Sequence, residues 1–202
     1  MVTALCVFGI YQVGQGLVLD GYLGDDARDR SQAQIATSGN LLLGARPEAG
    51  ATVALFLERP MGFGAGTQPS VSDVRVAKAG MAELGYDPDN GYVDNYMFGR
   101  GIVLHSLLGD AWAAYGLLGA ALVVAVLWLT VGPLITLVQH RLAAALVLFL
   151  GVRMVWNAFF SPLYSSTPLI VLTLGLLVPA VAGGRVRELQ GYRRPTREVA
   201  GP

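Results

Sequence analysis

Cysteine, histidine and charged residues in general are scarce in this chain, and these shortages exclude several kinds of site and one class of fold. Cys6 is the only cysteine of the 202 residues, so neither an internal disulfide nor a cysteine-based zinc site can form. The two histidines, His105 and His140, flank a long apolar run and are not expected to share a metal ion. Charged residues make up 14% of the chain, against about 25% in soluble domains. The composition does not fit a single soluble globular core.

The shortage of charge is local, and its position divides the chain. Residues 111–184 contain only two charged side chains, Arg141 and Arg153, whereas residues 20–110 contain twelve acidic and seven basic ones. This split is typical of a polar loop followed by membrane-embedded helices. We therefore predict an all-α integral membrane protein.

Four apolar stretches are candidates for transmembrane helices, which need about 20 mostly apolar residues. The candidate stretches are residues 2–19, 115–138, 142–162 and 168–183. The first lacks the basic start and the cleavage site of a signal peptide, so we interpret it as a spanning helix that the start of the chain truncates. The second is interrupted by Gly132-Pro133, where a kink is expected. The sequence thus predicts about four transmembrane helices and one large, partly helical extracytoplasmic loop.

Basic residues near helix ends predict the orientation in the membrane. They follow the last apolar stretch and also lie in the short link at His140-Arg141, so both segments are expected to be cytoplasmic. The loop at 20–110 and the short segment 161–167 then face outward. The predicted order is a transmembrane helix at 1–19, an extracytoplasmic loop at 20–110, three transmembrane helices at 111–184 and a basic cytoplasmic tail at 185–202.

Arg46 is the first candidate functional residue in the loop. It precedes Pro47-Glu48 and an apolar stretch at 49–58, and both proline and glutamate favour the first turn of a helix. Arg46 is therefore expected at a helix N-terminus, where free N–H groups attract anions and a guanidinium adds a bidentate phosphate contact. The alternative is a surface arginine that only flanks a helix.

The rest of the loop offers weaker signals. The glycine-rich segment 60–66 has no preceding strand, so a tight turn that packs the loop is favoured over a nucleotide site. A second short helix is predicted at 71–84, and turns are predicted at 86–92. The nearby oxygen-bearing side chains lack the spacing of an EF-hand, and no calcium site is expected at Asp87, Asp89, Asn90 and Asp94.

The segment 105–119 carries a regular pattern. His105, Gly109, Trp112, Gly116 and Gly119 are spaced by four, three, four and three residues. In a continuous helix this spacing puts all five on one face, along which a neighbouring helix can approach closely. The alternative is structural, because glycine is frequent in transmembrane helices and tryptophan is frequent at membrane interfaces.

In their order, these motifs resemble the O-antigen ligase and O-antigen polymerase family. Its members carry an arginine before a short helix that ends in a proline-glycine turn, and later a His-Asn or His-Ser pair before a Gly-x-x-Gly on the next spanning helix. This chain has Arg46, Pro60-Met61-Gly62, His105-Ser106 and Gly116-Leu117-Leu118-Gly119 in the same order. The resemblance covers about residues 20–119. Family members have more spanning helices, so we expect missing N-terminal helices to come from the same or another chain.

The resemblance implies glycosyl transfer from a polyprenyl-pyrophosphate-linked saccharide to a hydroxyl of a glycan, lipid or protein acceptor at the outer face of the bacterial inner membrane. Arg46 would stabilise the departing pyrophosphate, and His105 would activate the acceptor hydroxyl or contact the pyrophosphate. Arg28 and Arg30 would recruit the anionic lipid head, the alternative being that they are only solvated surface residues. No metal ion, cofactor or nucleic acid is implied. The alternatives are a protein O-oligosaccharyltransferase of the same family and a non-catalytic membrane component.

Arg153 is a candidate functional residue for a physical reason that is independent of the resemblance. A charge in the middle of a spanning helix costs about 2.5–3.5 kcal/mol on insertion scales, and Asn157 lies one helical turn away on the same face. We predict that both residues line an outer cavity, where Arg153 contacts the lipid pyrophosphate or a neighbouring helix. The alternative is that the side chain snorkels towards the lipid headgroups.

The predicted topology can be tested by labelling. In a Cys6→Ser background, a cysteine introduced at Asn90 should react with an impermeant maleimide added to intact cells, and one introduced at Pro202 should react only after lysis. Reaction of both sites from the same side would require an even number of spans between residues 90 and 202, instead of the three predicted, and would contradict the four-helix topology.

Overall fold

A computed structural model describes residues 2–39 and 46–192, and the regular secondary structure of these residues is helical. The helices are α1 (Val2–Leu19), α2 (Asp25–Ser38), α3 (Pro47–Glu58), α4 (Val71–Glu83), a π-helix (Tyr92–Met97), α5 (Leu107–Gln139), α6 (Ala145–Phe160) and α7 (Leu163–Tyr192). No strand occurs in the described ranges, so the predicted all-helical class is confirmed there. The predicted loop helices at 49–58 and 71–84 correspond to α3 and α4.

The chain divides into two compact units. The N-terminal unit comprises Met1–Gly62 and Gly66–Leu104, and the C-terminal unit comprises Phe63–Ala65 and His105–Pro202. Within the N-terminal unit α1 contacts α2 and α3 packs against α4, and within the C-terminal unit α5, α6 and α7 pack against one another. The three-residue segment Phe63–Ala65 therefore belongs with helices that follow it by more than forty residues in the sequence.

Helix α4 begins with a capping box. The Ser70 hydroxyl accepts a hydrogen bond from the Asp73 N–H at 3.2 Å, and the Asp73 carboxylate accepts one from the Ser70 N–H at 2.8 Å. Burial by itself raises the pKa of the Asp73 carboxyl, but the hydrogen bonds with Ser70 and the charge of Arg59 outweigh it and hold that pKa below its usual value. The Asp73 contribution to stability is therefore present at neutral pH and is lost as the pH falls through the lowered pKa.

Two glycines allow α3 and α4 to come into backbone contact. A Cβ atom on Gly50 would overlap the Gly80 carbonyl oxygen, and a Cβ atom on Gly80 would overlap the Gly50 carbonyl oxygen. Backbone atoms of two packed helices cannot move aside as a flexible side chain can. Ala51 and Met81 are fully buried immediately beside the crossing. The glycine pair therefore sets the distance between the two helices and the packing of the N-terminal unit.

The C-terminal unit is held by apolar packing and by one buried carboxylate. Its core cluster contains only apolar side chains, namely Leu107, Ala111, Val123, Met154 and Ala158. Asp110 is 6% exposed, and its Oδ2 atom accepts a hydrogen bond from the backbone N–H of Leu163 at 2.9 Å. Because Leu163 is the first residue of α7, this bond joins the beginning of α7 to the first turn of α5.

Four spans were predicted, and one helix among the described residues has the length and the apolar composition that a span requires. In the part of the chain that the structure describes, Leu107–Gln139 is long and apolar enough to cross a membrane, whereas Ala145–Phe160 and Leu163–Pro179 are apolar but shorter. The predicted cytoplasmic link is a tight turn in which Arg141 has a φ of 56°. The predicted tail at 185–202 lies outside the described residues from 193 onward.

Three details differ from the sequence predictions. Helix α5 begins at Leu107 and is therefore longer than the second span predicted at 115–138. The predicted outer segment 161–167 is reduced to Ser161-Pro162, because α7 already begins at Leu163. The backbone stays helical at Gly132-Pro133, and the break in α5 lies at Gly116 instead.

The glycine crossing gives a test of the N-terminal unit. Gly80→Ala should destabilise the α3–α4 pair by about 1–3 kcal/mol, because the added methyl group overlaps backbone atoms that cannot move. Amide hydrogen exchange in α3 and α4 should rise measurably. Gly16→Ala is the control, since a Cβ atom there meets nothing within 4 Å. Unchanged exchange in the Gly80 variant would show that the two helices are not in backbone contact.

Candidate functional site

Arg46 lies at the N-terminus of α3, as the sequence predicted. It is the N-cap residue, with φ −138° and ψ 64°, and Pro47 occupies the first helical turn. The Arg46 side chain is partly buried, and its positive charge offsets only a small part of the rise in the pKa of Tyr92 that burial and Glu48 cause. Arg46 therefore lies at the end of α3 where the free N–H groups favour an anion.

Tyr92 and Glu48 form a contact that the sequence analysis missed. The Tyr92 hydroxyl donates a hydrogen bond of 2.7 Å to the Glu48 Oε1 atom, across 44 residues of sequence. Burial, followed by the hydrogen bond and the negative charge of Glu48, raises the pKa of Tyr92 well above its usual range. Tyr92 therefore stays protonated and acts as a hydrogen-bond donor. This contact holds the π-helix against the first turn of α3, two residues after Arg46.

Asn90 determines where the π-helix begins. Its Oδ1 atom accepts hydrogen bonds from the N–H groups of Tyr92 at 3.0 Å and Val93 at 3.2 Å, as an N-cap residue does. Its Nδ2 atom donates to the Tyr86 hydroxyl at 3.1 Å. The sequence analysis predicted only turns at 86–92 and no helix after them. The capping preference of Asn90 was the one local signal of a helix start.

The acidic side chains near the π-helix are bound by a lysine. The Lys78 ammonium group lies 2.8 Å from Asp94 and 3.0 Å from Asp89, and these hydrogen bonds raise the pKa of Lys78. Asp87 accepts a hydrogen bond from the backbone N–H of Asp89 at 3.1 Å. Within residues 2–39 and 46–192 no group of three or more His, Cys, Asp or Glu side chains could hold a metal ion.

His105 adopts a backbone conformation that is rare for a residue with a side chain. Its φ is 54°, and it lies between the buried residues Leu104 and Leu107. Such a left-handed conformation in a non-glycine residue costs about 1–3 kcal/mol, and residues of this kind cluster at functional sites. The imidazole is partly buried, and its Nδ1 atom is inaccessible to solvent. The structure thus fixes His105 immediately outside the beginning of α5.

Ser106 has a clear structural role. It is the N-cap of α5, and its hydroxyl accepts a hydrogen bond from the Gly109 N–H at 2.9 Å. Serine and asparagine are both good N-cap residues. A serine and an asparagine at this position could therefore both cap the helix that follows the histidine.

The predicted single helical face from 105 to 119 is wrong. His105 lies outside the helix, and Gly116 has φ 65° and ψ −152°, which interrupts α5 after its first nine residues. The regular spacing therefore does not carry all five side chains along one continuous face. Propensity and spacing gave no sign of this break, because a glycine inside an apolar run is compatible with a helix.

The break gives the glycine-rich turn a place to bind. The carbonyl oxygen of Ala113 accepts hydrogen bonds from the backbone N–H groups of Phe63 at 2.8 Å and Gly64 at 3.1 Å. A continuous helix would use this carbonyl for the N–H four residues later, at Leu117. The Phe63 ring packs edge-to-face on Trp112, with centroids 5.9 Å apart. The sequence prediction that this turn packs against the helices is confirmed for Phe63 and Gly64.

The two glycines of the Gly-x-x-Gly motif have different roles. Gly116 takes a positive φ, which L-residues with a Cβ atom adopt only with strain. Gly119 is buried, and a Cβ atom there would overlap the carbonyl oxygen of Ala111 and lie 2.9 Å from the Tyr115 Cβ atom. Gly116 therefore permits the break in α5. Gly119 permits the helical segments before and after that break to approach each other closely.

Arg28 and Arg30, which were predicted to recruit an anionic lipid head, lie on α2 and contact their own helix. Arg28 pairs with Asp25 at 3.3 Å and with Asp29 at 3.2 Å. The Arg30 Nε atom donates to the backbone oxygen of Asp26 at 3.0 Å. Arg28 is therefore paired with acidic residues of its own helix, and a role of both arginines in lipid binding stays a prediction.

The structure does not join Arg153 to Asn157. Arg153 is exposed on α6, between the exposed residues Val152 and Trp156. Asn157 is buried, and its amide donates a hydrogen bond of 3.3 Å to the Ser166 hydroxyl of α7. Asn157 therefore joins two helices, and the predicted shared cavity with Arg153 is not seen in the described residues.

The candidate residues fall into two groups. Arg46, Arg28 and Arg30 belong to the N-terminal unit, whereas His105, Arg153 and Asn157 belong to the C-terminal unit. Asp110 joins the second group as a residue that the sequence analysis did not single out. Its buried carboxylate fixes the beginning of α7 to the turn of α5 that directly follows His105.

The two roles of the glycine motif can be separated by substitution. Gly116→Ala should destabilise the C-terminal unit by about 1–3 kcal/mol, because φ 65° with ψ −152° is a conformation that residues with a Cβ atom adopt only with strain. Gly119→Ala should destabilise it by a similar amount through overlap with the carbonyl oxygen of Ala111. Thermal unfolding in detergent, followed by tryptophan fluorescence, measures both effects. Gly132→Ala is the control in the same helix, because a Cβ atom there meets nothing within 4 Å. Equal melting temperatures for all three variants would contradict the break.

Comparison of the chain with known protein families, with curated proteins and with solved structures returns no match. The resemblance to the O-antigen ligases therefore depends on the residues and motifs themselves. The geometry adds to them an arginine at a helix N-terminus, a strained histidine at a helix start and a glycine-rich turn bound at a helix break.

Proposed function

We propose that this chain is the C-terminal part of an O-antigen ligase/polymerase-like glycosyltransferase of the bacterial cytoplasmic membrane. It transfers a saccharide from a polyprenyl-pyrophosphate carrier to an acceptor hydroxyl at the outer face, without a metal ion. The observation that carries the proposal is the conformation of His105. A partly buried imidazole is held at φ 54° directly before the helix that is long enough to cross a membrane.

The proposed chemistry assigns one role to each candidate catalytic residue. His105 accepts the proton of the acceptor hydroxyl, and the resulting nucleophilic oxygen attacks the anomeric carbon of the donor. The bond from that carbon to the pyrophosphate oxygen breaks, and its electron pair leaves with the pyrophosphate. Arg46 stabilises this developing negative charge with its guanidinium and with the N–H groups at the beginning of α3.

A membrane location is supported by the exposed apolar surface of the C-terminal unit. Leu118 is 83% exposed, Trp128 73% and Leu122 62%, and all three lie on α5. Large apolar surfaces of this kind are covered by lipid or by other helices. We propose that lipid and further N-terminal helices, from the same or another chain, cover them.

The exposed position of Arg153 is compatible with a role in this assembly. A charged side chain that lies between exposed apolar residues of a spanning helix requires a partner, a water-filled cavity or a lipid head group. We propose that Arg153 meets the pyrophosphate of the carrier or a covering helix. Arg28 and Arg30 remain our candidates for recruiting the carrier.

The roles of Arg46 and His105 can be tested in the full-length protein with a lipid-linked donor. Arg46→Ala and His105→Ala should each lower transfer by about 100-fold or more, because each removes a group that acts on the transition state. Arg46→Lys should restore little activity, since an ammonium group cannot reproduce the planar guanidinium. Product formation in reconstituted membranes is the measurement.

Two matched controls keep the test specific. Arg100→Ala and His140→Ala remove an exposed arginine and the second histidine, and both should keep near-normal transfer. Near-normal transfer in Arg46→Ala or His105→Ala, with normal expression, would instead favour a non-catalytic membrane component.

A further inference from the structure

Helix α6 carries an apolar stripe with a positive charge at its centre. The stripe consists of residues at intervals of three and four along one helical face, namely Leu146, Phe149, Arg153, Trp156 and Phe160. Leu146 is 59% exposed, Phe149 58% and Trp156 53%, and Arg153 is exposed as well. The buried residues of α6 lie on the opposite face. The Arg153 stripe is therefore the face of α6 that the C-terminal unit leaves uncovered.

Arg153 lies at the middle of α6, where the headgroups on either side of a membrane are hardest to reach. It is the ninth of the 16 residues of the helix. At a rise of about 1.5 Å per residue, it lies about 12 Å from the first residue and about 10 Å from the last. A charged side chain at such a depth is costly, and as a rule it pairs with an opposite charge or faces water. Arg153 therefore needs a counter-charge beside the uncovered stripe.

The apolar segments of this chain supply no such counter-charge. Residues 2–19 and 111–184 contain neither aspartate nor glutamate. None of the ion pairs among residues 2–39 and 46–192 includes Arg153. A second copy would bring only the same segments, and a two-fold contact through the stripe would place two Arg153 side chains together, where like charges repel. A carboxylate at this depth therefore has to come from outside residues 1–202.

We propose that the Arg153 stripe docks a further transmembrane helix, from outside residues 1–202, that carries an aspartate or glutamate at the depth of Arg153. A carboxylate matches the planar guanidinium with two parallel hydrogen bonds. The rings of Trp156 and Phe160 are in contact, with centroids 4.3 Å apart, and they form an apolar ridge beside the charge. The spacing of the stripe is the one at which two helices pack along their length. The inference rests on the proposed membrane location and specifies the chemistry of one covering helix.

Charge favours a helix with a carboxylate over the pyrophosphate of the lipid carrier as the occupant. A pyrophosphate carries more than one negative charge, and the only other charged side chain of residues 111–184 is Arg141, which precedes the first residue of α6. One arginine would leave such an anion uncompensated in the apolar layer, whereas it neutralises a single carboxylate. At Arg46, by contrast, the N–H groups at the beginning of α3 add to the positive charge of the side chain.

Docking can be measured with model helices. The full chain, with the photo-reactive p-benzoylphenylalanine in place of Phe149, is reconstituted in phosphatidylcholine vesicles with a biotinylated Leu-Ala transmembrane peptide that has aspartate, asparagine or leucine at its centre. On illumination, the aspartate peptide should give about fivefold more adduct than the leucine peptide, because it alone neutralises the arginine. Arg153→Leu should abolish this preference and Arg153→Lys should keep most of it.

Two controls make the peptide measurement specific. Arg141→Gln removes the other arginine of residues 111–184 and should leave the preference unchanged. The photo-reactive group at Leu122, which is 62% exposed on α5, should give the same adduct with all three peptides. Equal adducts from the position of Phe149, or a preference that survives Arg153→Leu, would overturn the inference. The comparison of the peptides on the chain with an intact Arg153 does not depend on the folding of any Arg153 variant.

Cross-linking in the native membrane identifies the natural occupant. With the photo-reactive group at Phe149 of the full-length protein, mass spectrometry should find an adduct with an apolar spanning segment that contains aspartate or glutamate, and Arg153→Leu should lower its yield about tenfold. Adducts only with lipid, with the pyrophosphate carrier, with a second copy of residues 1–202 or with a span that lacks an acidic residue would each overturn the inference. None of these outcomes bears on Arg46 and His105, whose roles the transfer assay decides, so the two failures are distinguishable.

Discussion

The carbonyl oxygen of Ala113 is the acceptor on which the candidate site depends most. A buried backbone carbonyl needs a hydrogen-bond donor, and the positive φ of Gly116 interrupts the helix that would normally supply one. The N–H groups of Phe63 and Gly64 take that place. This bond explains why a glycine-rich turn and a Gly-x-x-Gly motif occur together in one chain. The turn supplies N–H donors that no side chain blocks, and the helix break supplies the acceptor.

A second constraint organises the N-terminal unit. Because Gly50 and Gly80 allow α3 and α4 to meet at their backbones, the first turn of α3 is held rigidly and so is Glu48. Glu48 then accepts the hydrogen bond from Tyr92, which orients the π-helix and its second aromatic ring. The packing of α3 against α4 therefore determines where the two tyrosines and the arginine lie. A rigid arrangement of this kind is compatible with the proposed anion site at the beginning of α3.

The sequence predicted some parts of the site well and others poorly, for identifiable reasons. Arg46 was placed correctly because Pro47 and Glu48 are local signals that act within one helical turn. His105 was wrongly predicted to lie within the helix, since the helix begins only at Leu107 and the spacing of the residues gives no sign of the left-handed conformation of His105. Tyr92 was missed because its partner is 44 residues away. Arg153 and Asn157 share a helical spacing, yet only Asn157 is buried.

The amino-acid sequence by itself determined the helical class, the boundaries of α3 and α4 and the division into a polar and an apolar part. These features follow from periodicity, capping residues and composition, which act over a few residues. Only the tertiary structure decided that α5 breaks at Gly116, that Phe63 and Gly64 bind Ala113, and that Asp110 holds the beginning of α7. Each of these joins groups that are distant in the sequence, or depends on the space left by a neighbour. A glycine or a carboxylate in the sequence does not reveal which backbone group it will meet.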